Sequence, residues 1–180
     1  MTPAACGASV HTKWFFLVSI VGPARSPRLI GRSRVEIVGD DQPSQPYHAA
    51  AQAGLGAADA AVLVRRWEEA AMHLAAAGLE SAVRDAAAAG HDMRALALAG
   101  EVRPLPDIAT ILRAHTLMHK AEGQLSLGAV AAAGELVGLR VVHAGDTTAG
   151  DVVAQLGRTA GAPWTADQKR AAAAAIVALR

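Results

Sequence analysis

Apolar and polar positions change their period along this chain, and the changes mark its elements. Met1 to Val10 is small and without periodicity, so it reads as a frayed terminus or a short first strand. Lys13 to Val21 is aromatic and β-branched, and Leu29 to Val38 alternates in part. Gly22-Pro23 and Ser26-Pro27 stand between these runs, which predicts an antiparallel hairpin. Asp40 to Gly56, with Asp40-Asp41, Pro43 and Pro46, predicts a loop. From Ala57 or Asp59 the spacing turns helical to about Ala89, with Leu63, Trp67, Ala70, Ala71 and Leu74 on one face, Gly78 as the place for a bend and Gly90 as the stop. Met93 to Ala99 reads as a short buried strand and Gly100 to Pro106 as a loop. Pro106 to Val137 reads as a central helix with Ile108, Ile111, Leu112, Ala133 and Val137 in one stripe. Leu139 to Ala144 is another buried strand, Thr147 to Gly157 a short helix, and Thr165 to Leu179 an alanine-rich helix capped by Thr165.

Strands separated by long helices need parallel crossovers, whereas the hairpin needs antiparallel pairing. The expected fold is therefore α/β, a single domain over 11–180 with a mixed sheet opened by the hairpin and crossed by long helices. Met93 to Ala99 and Leu139 to Ala144 should be parallel neighbours.

Composition agrees with one packed domain. Of 180 residues, 52% are hydrophobic and 18% charged, and alanine runs favour closely packed helices. A formal charge of +1 gives no broad field for a polyanion or a membrane, so nucleic acid would have to be met by a local patch. Arg25, Arg28, Arg32 and Arg34 form the clearest basic cluster, read as a solvated hairpin tip or a phosphate-contacting loop. The single cysteine, Cys6, excludes an intramolecular disulfide framework and a cysteine-rich zinc site. It fits a reducing compartment, so a cytoplasmic location is expected, with no membrane partner.

Three ionisable groups interrupt the stripe of the central helix: His115, His119 and Glu122, at i, i+4 and i+7. Burying such groups is unfavourable by several kcal/mol unless each is partnered. At least two of the three should therefore be mostly buried and hydrogen-bonded, metal-bound or lining a cleft. A divalent metal is one reading, with zinc, iron or manganese suited to imidazole plus carboxylate, and His48, His143, Asp146 or Asp167 available as a further ligand. A buried network in which Glu122 fixes a histidine tautomer is another, and an acid–base pair is a third. Tyr47-His48 lies in the loop. Asp146 follows a strand, where it either joins a site or caps the next helix. Trp164 reads as a core anchor.

Several short stretches, taken in order, look like one family. Cys6-Gly7-Ala8-Ser9 precedes His11-Thr12-Lys13-Trp14. Glu101 follows the strand ending at Gly100. Ala121-Glu122-Gly123 leads to Gly138-Leu139-Arg140-Val141, and Asp167 opens the last helix. In this order the chain resembles the ribonuclease H-like superfamily, especially the RuvC-type Holliday-junction resolvases. The resemblance implies a ribonuclease H-like fold, DNA or RNA as partner, and cleavage with divalent Mg or Mn held by acids, here Glu101, Glu122 and Asp167. Gly7 stands where those proteins carry a first-strand aspartate, and Asp167 is alone where they present a pair. The readings left open are a metal-dependent nuclease or resolvase, a non-catalytic module binding nucleic acid or protein on the same fold, and a His/Glu metal-site enzyme. A homodimer is compatible with each.

Overall fold

The computed structural model describes residues 1–145 and 150–180. Among these, five strands form one mixed sheet in the order β3-β2-β1-β4-β5, with β1 Thr2–Val10, β2 Trp14–Val21, β3 Arg28–Glu36, β4 His91–Leu98 and β5 Arg140–His143. The expected hairpin is β2 with β3. β1 pairs antiparallel with β2 and parallel with β4, and β4 pairs parallel with β5. The helices are α1 Pro46–Gln52, α2 Ala57–Ala88, α3 Ile108–Leu112, α4 His115–Leu136, α5 Asp151–Ala160 and α6 Ala166–Ala178. No helix among the described residues is long and apolar enough to cross a membrane.

The first ten residues do not fray. β1 is the central strand of the sheet, and it lacks periodicity because both faces are covered, which removes the polar half of the usual alternation. Ala4, Cys6 and Ala8 face the cluster under α2 and α4, while Ala5 and Gly7 face α6. At Gly7 a Cβ would overlap the carbonyl of Ala171 and lie 2.5 Å from the amide nitrogen of Ala175, so the alanine-rich α6 rests on bare backbone. β2 is covered in the same way. Phe15, Leu17 and Val21 enter the α2/α4 core, and Val18 and Ile20 the α6 core.

α2 is a single unbroken helix of about 48 Å by its rise. Its buried stripe runs through Ala60, Val64, Trp67, Ala71, Ala75 and Leu79, and Leu74 is exposed, so the face is rotated from the expected one. Gly78 is a close approach rather than a bend, since a Cβ there would meet Val35 of β3 at 2.5 Å.

Two expectations about the site-bearing segments fail. The predicted loop from Asp40 contains α1, with Pro46 in its first turn, where the missing N–H is an orphan in any case. The central helix is two helices. Ala114 is extended (φ −136°, ψ 113°) and starts α4, while Asp107 caps α3 by accepting from the Thr110 backbone N–H at 2.9 Å. Ile111 and the stripe of α4 therefore reach the same core from different directions. Final helix α6 begins as expected at Thr165, with Gln168 completing a capping box.

Candidate functional site

The carboxyl ends of β1, β4 and β5 share one edge of the sheet, and α6 brings Asp167 to it. Asp167 Oδ1 accepts from Ser9 Oγ at 3.2 Å, lies 2.9 Å from His11 Nε2, and is 3.8 Å from Arg170 Nη1. Ser9 near the end of β1 and His11 just beyond it are two positions apart and reach the same carboxylate. His11 stacks on Trp14 at 4.0 Å between centroids, and the Arg34 guanidinium sits 4.5 Å from the Trp14 ring centre. Arg34 also pairs with Glu36 at 2.7 Å. Sequence reasoning misses Ser9 and His11 as site residues; a Ser-x-His step closing a small-residue strand is the available signal.

Glu101 follows β4 at this edge, as the sequence suggests, but it is exposed and 3.5 Å from Arg103. Arg103 in turn donates its backbone N–H to Gln124 of α4. Glu122 does not share the surroundings of Asp167. It is buried on the opposite face of the sheet, beneath α1. Glu101, Glu122 and Asp167 thus have three separate sets of partners, and no hydrogen bond or ion pair among the described residues joins any two of them. The aligned first-strand position cannot supply another acid, because the backbone of α6 fills the space a side chain at Gly7 would need. A pair of divalent ions needs several convergent oxygen ligands, and the described residues do not gather Glu101, Glu122 and Asp167 into one such group.

The four hairpin arginines are strung along β3 rather than clustered. Arg25 and Arg28 lie at the turn, next to the amino end of β1, whereas Arg34 opposes Phe16 near its carboxyl end. Arg32 donates to the carbonyls of Gly161 at 3.2 Å and Pro163 at 2.7 Å, tying β3 to the loop before α6. Arg25 and Arg28 are exposed and have no ion-pair partner among the described residues.

The second cluster is assembled by α1 and the first turns of α4. His48 sits in α1, and its Nδ1 lies 2.9 Å from Glu122 Oε1, which also accepts the His48 backbone N–H at 3.2 Å. The ring centroids of His48 and His119, and of His115 and His119, are 4.5 Å apart, and those of His48 and His115 are 5.0 Å apart. Of the three groups expected to share a buried face, only Glu122 is buried. His115 and His119 are exposed because they occupy the first turns of α4, before the helix passes under α2. Tyr47, beside His48, is buried, and its phenol is pushed up from its ordinary value by burial first, then by the charges of Glu68 and Glu122. Burial likewise pushes the Cys6 thiol up to about 12, which makes it an inert core group. Asp146 lies outside the described residues. Trp164 packs against the α6 core and touches Gly157, as an anchor would.

No protein-family model and no curated protein matches this sequence. Solved structures do match. RuvC of T. thermophilus in complex with a Holliday junction substrate aligns over 98% of this chain and 92% of its own, at 16% identity and a TM-score of 0.55. The fold is RuvC-type and ribonuclease H-like. A further Thermus thermophilus RuvC structure covers 98% of this chain and 93% of its own at 16% identity, with a TM-score of 0.49. At such identity the likeness shows the fold alone.

Proposed function

We propose that the chain is a nucleic-acid-binding protein of RuvC-type fold that does not cleave by the two-metal route. The observation that carries this reading is the setting of Asp167: its Oδ1 meets Ser9, His11 and Arg170, and among the described residues no second carboxylate makes a hydrogen bond with it or gathers with it into a cation-holding group. Beside the exposed Glu101, the same end of the sheet carries several exposed cations. Lys13 in the β1–β2 turn, Arg103 after β4, Lys120 on α4 and Arg170 on α6 are all exposed. Lysines and arginines so disposed suit phosphate contacts, which give register and affinity without chemistry. The RuvC structure bound to a Holliday junction makes branched DNA the first substrate to try.

The test titrates four-way, duplex and single-stranded DNA, and RNA, against wild type, Lys13→Ala/Arg103→Ala/Lys120→Ala and Arg25→Ala/Arg28→Ala. On duplex DNA, removing a side chain that neutralises one phosphate should lower the salt slope by about 0.9. We expect the slope of the edge variant to fall by up to three such steps and that of the hairpin variant to change little. A larger fall in the hairpin variant would move the interface to the other end of the sheet. No binding at low salt would discard the nucleic-acid reading, and cleavage on adding Mg²⁺ or Mn²⁺ would show that the acids converge after all.

A further inference from the structure

We propose that His48, His115 and His119 bind one divalent transition-metal ion, of the zinc class, and that Glu122 orients His48 for it. Each histidine offers one ring nitrogen, and the three atoms all lie within 4.8 Å of one another. A tetrahedral ion at ordinary Zn–N distances would hold them about 3.4 Å apart. His115 and His119 are exposed on the first two turns of α4, so modest side-chain rotation covers the difference without moving either helix.

His48 is already prepared. Its Nδ1 donates to Glu122, which fixes the tautomer and leaves the Nε2 lone pair free, the arrangement that histidine ligands commonly have with a carboxylate behind them. That Nε2 is buried and makes no hydrogen bond, and Glu122 Oε2 is buried and unpartnered as well. These two orphans share one explanation. If His48 is neutral, the ionised carboxylate, 1% exposed, is left without a positive partner. If His48 is protonated, its Nε2–H is a buried donor without an acceptor. A cation on Nε2 removes both defects, and among the described residues no Lys or Arg makes an ion pair with Glu122. Three imidazoles without a fourth protein ligand leave one position for water or an incoming oxygen ligand. This site is on the opposite face of the sheet from Asp167 and is independent of the nucleic-acid reading.

The test uses tag-free, metal-stripped full-length protein, titrated with Zn²⁺ against a chromophoric chelator and with Co²⁺ by its visible absorption. Wild type should take up one equivalent and melt at higher temperature when loaded. His115→Ala/His119→Ala changes only exposed side chains, so it should keep the wild-type circular dichroism while losing that equivalent and the thermal shift. Glu122→Gln should weaken zinc by about 10- to 100-fold. Equal uptake by wild type and the double variant, or none by either, overturns the site. Unchanged zinc affinity in Glu122→Gln overturns the role given to that residue.

Discussion

Two histidine–carboxylate pairs stand on opposite faces of one sheet, each at 2.9 Å, and their surroundings make them different objects. His11–Asp167 is partly exposed, and the carboxylate has Ser9 and Arg170 as further partners. His48–Glu122 is enclosed. Its carboxylate has no arginine or lysine partner among the described residues, and one atom of each member is unsatisfied. The first pair leaves no buried atom unmatched. The second is incomplete, with a buried atom of each member unmatched. Distance between two groups says little about what a site can do; which of their remaining atoms are matched says much more.

The largest way to separate the pairs is through Gly7. Gly7→Ala drives a Cβ into the backbone of α6, and with backbone on the receiving side it should cost about 3 kcal/mol or more, as a large fall in the denaturant midpoint. α6 carries Asp167, whereas the His48 pair belongs to α1 and α4. Gly7→Asp should be equally damaging, and it should not yield cleavage with Mg²⁺ or Mn²⁺. A well-folded, cleaving Gly7→Asp protein would show that α6 yields easily and that the edge was lacking only an acid.

Glu122→Ala comes next. It removes the acceptor of both His48 N–H groups in a buried place, for which about 1–3 kcal/mol is expected by equilibrium unfolding. An unchanged midpoint would mean that water serves these donors, and the contrast with Asp167 would lose its basis.

Part of this contrast is legible in the sequence and part is not. The order of the strands and the longer helices follows from hydrophobic period, because β2, β4 and β5 have Gly or Pro beside them and α6 has its capping box, whereas Ala114 offers no side-chain cap to mark the start of α4. β1 is obscure because a strand covered on both faces by an alanine-rich helix and a second helix layer must itself be small, which erases its pattern. His115, His119 and Glu122 are visible as an interruption in an apolar stripe. His48 stands out less, because Pro46 reads as a loop residue, whereas it opens α1 and so directs His48 toward α4. The partners of Asp167 cannot be read, since Ser9 and His11 meet it across more than 150 positions of chain.

A smaller effect is expected at the exposed pair. Asp167→Asn keeps an acceptor for Ser9 and removes only partly screened ion pairs, so it should cost about 0.2–1 kcal/mol, less than Glu122→Ala in the same denaturant series. A destabilisation exceeding that of Glu122→Ala would reverse the ranking of the two carboxylates.

The finest measurement uses Tyr47, the single tyrosine of the chain, whose ionisation can be followed by ultraviolet absorbance without interference from another phenol. Its value in the fold is raised above the ordinary 10.0 by burial and then by Glu68 and Glu122. The neutral phenol is therefore the form the fold favours. The corresponding stability is present below the unfolded value and is lost as pH rises from there through the folded value. Glu122→Gln removes one of the negative neighbours, so the Tyr47 midpoint should fall, while Asp167→Asn, on the other face of the sheet, should leave it where it is. Zinc at His48 would place positive charge on the far side of the same carboxylate, and should lower the midpoint in wild type but not in His115→Ala/His119→Ala. Equal shifts from Glu122→Gln and Asp167→Asn would show that the phenol senses net charge alone, and that the two pairs are not electrostatically separate.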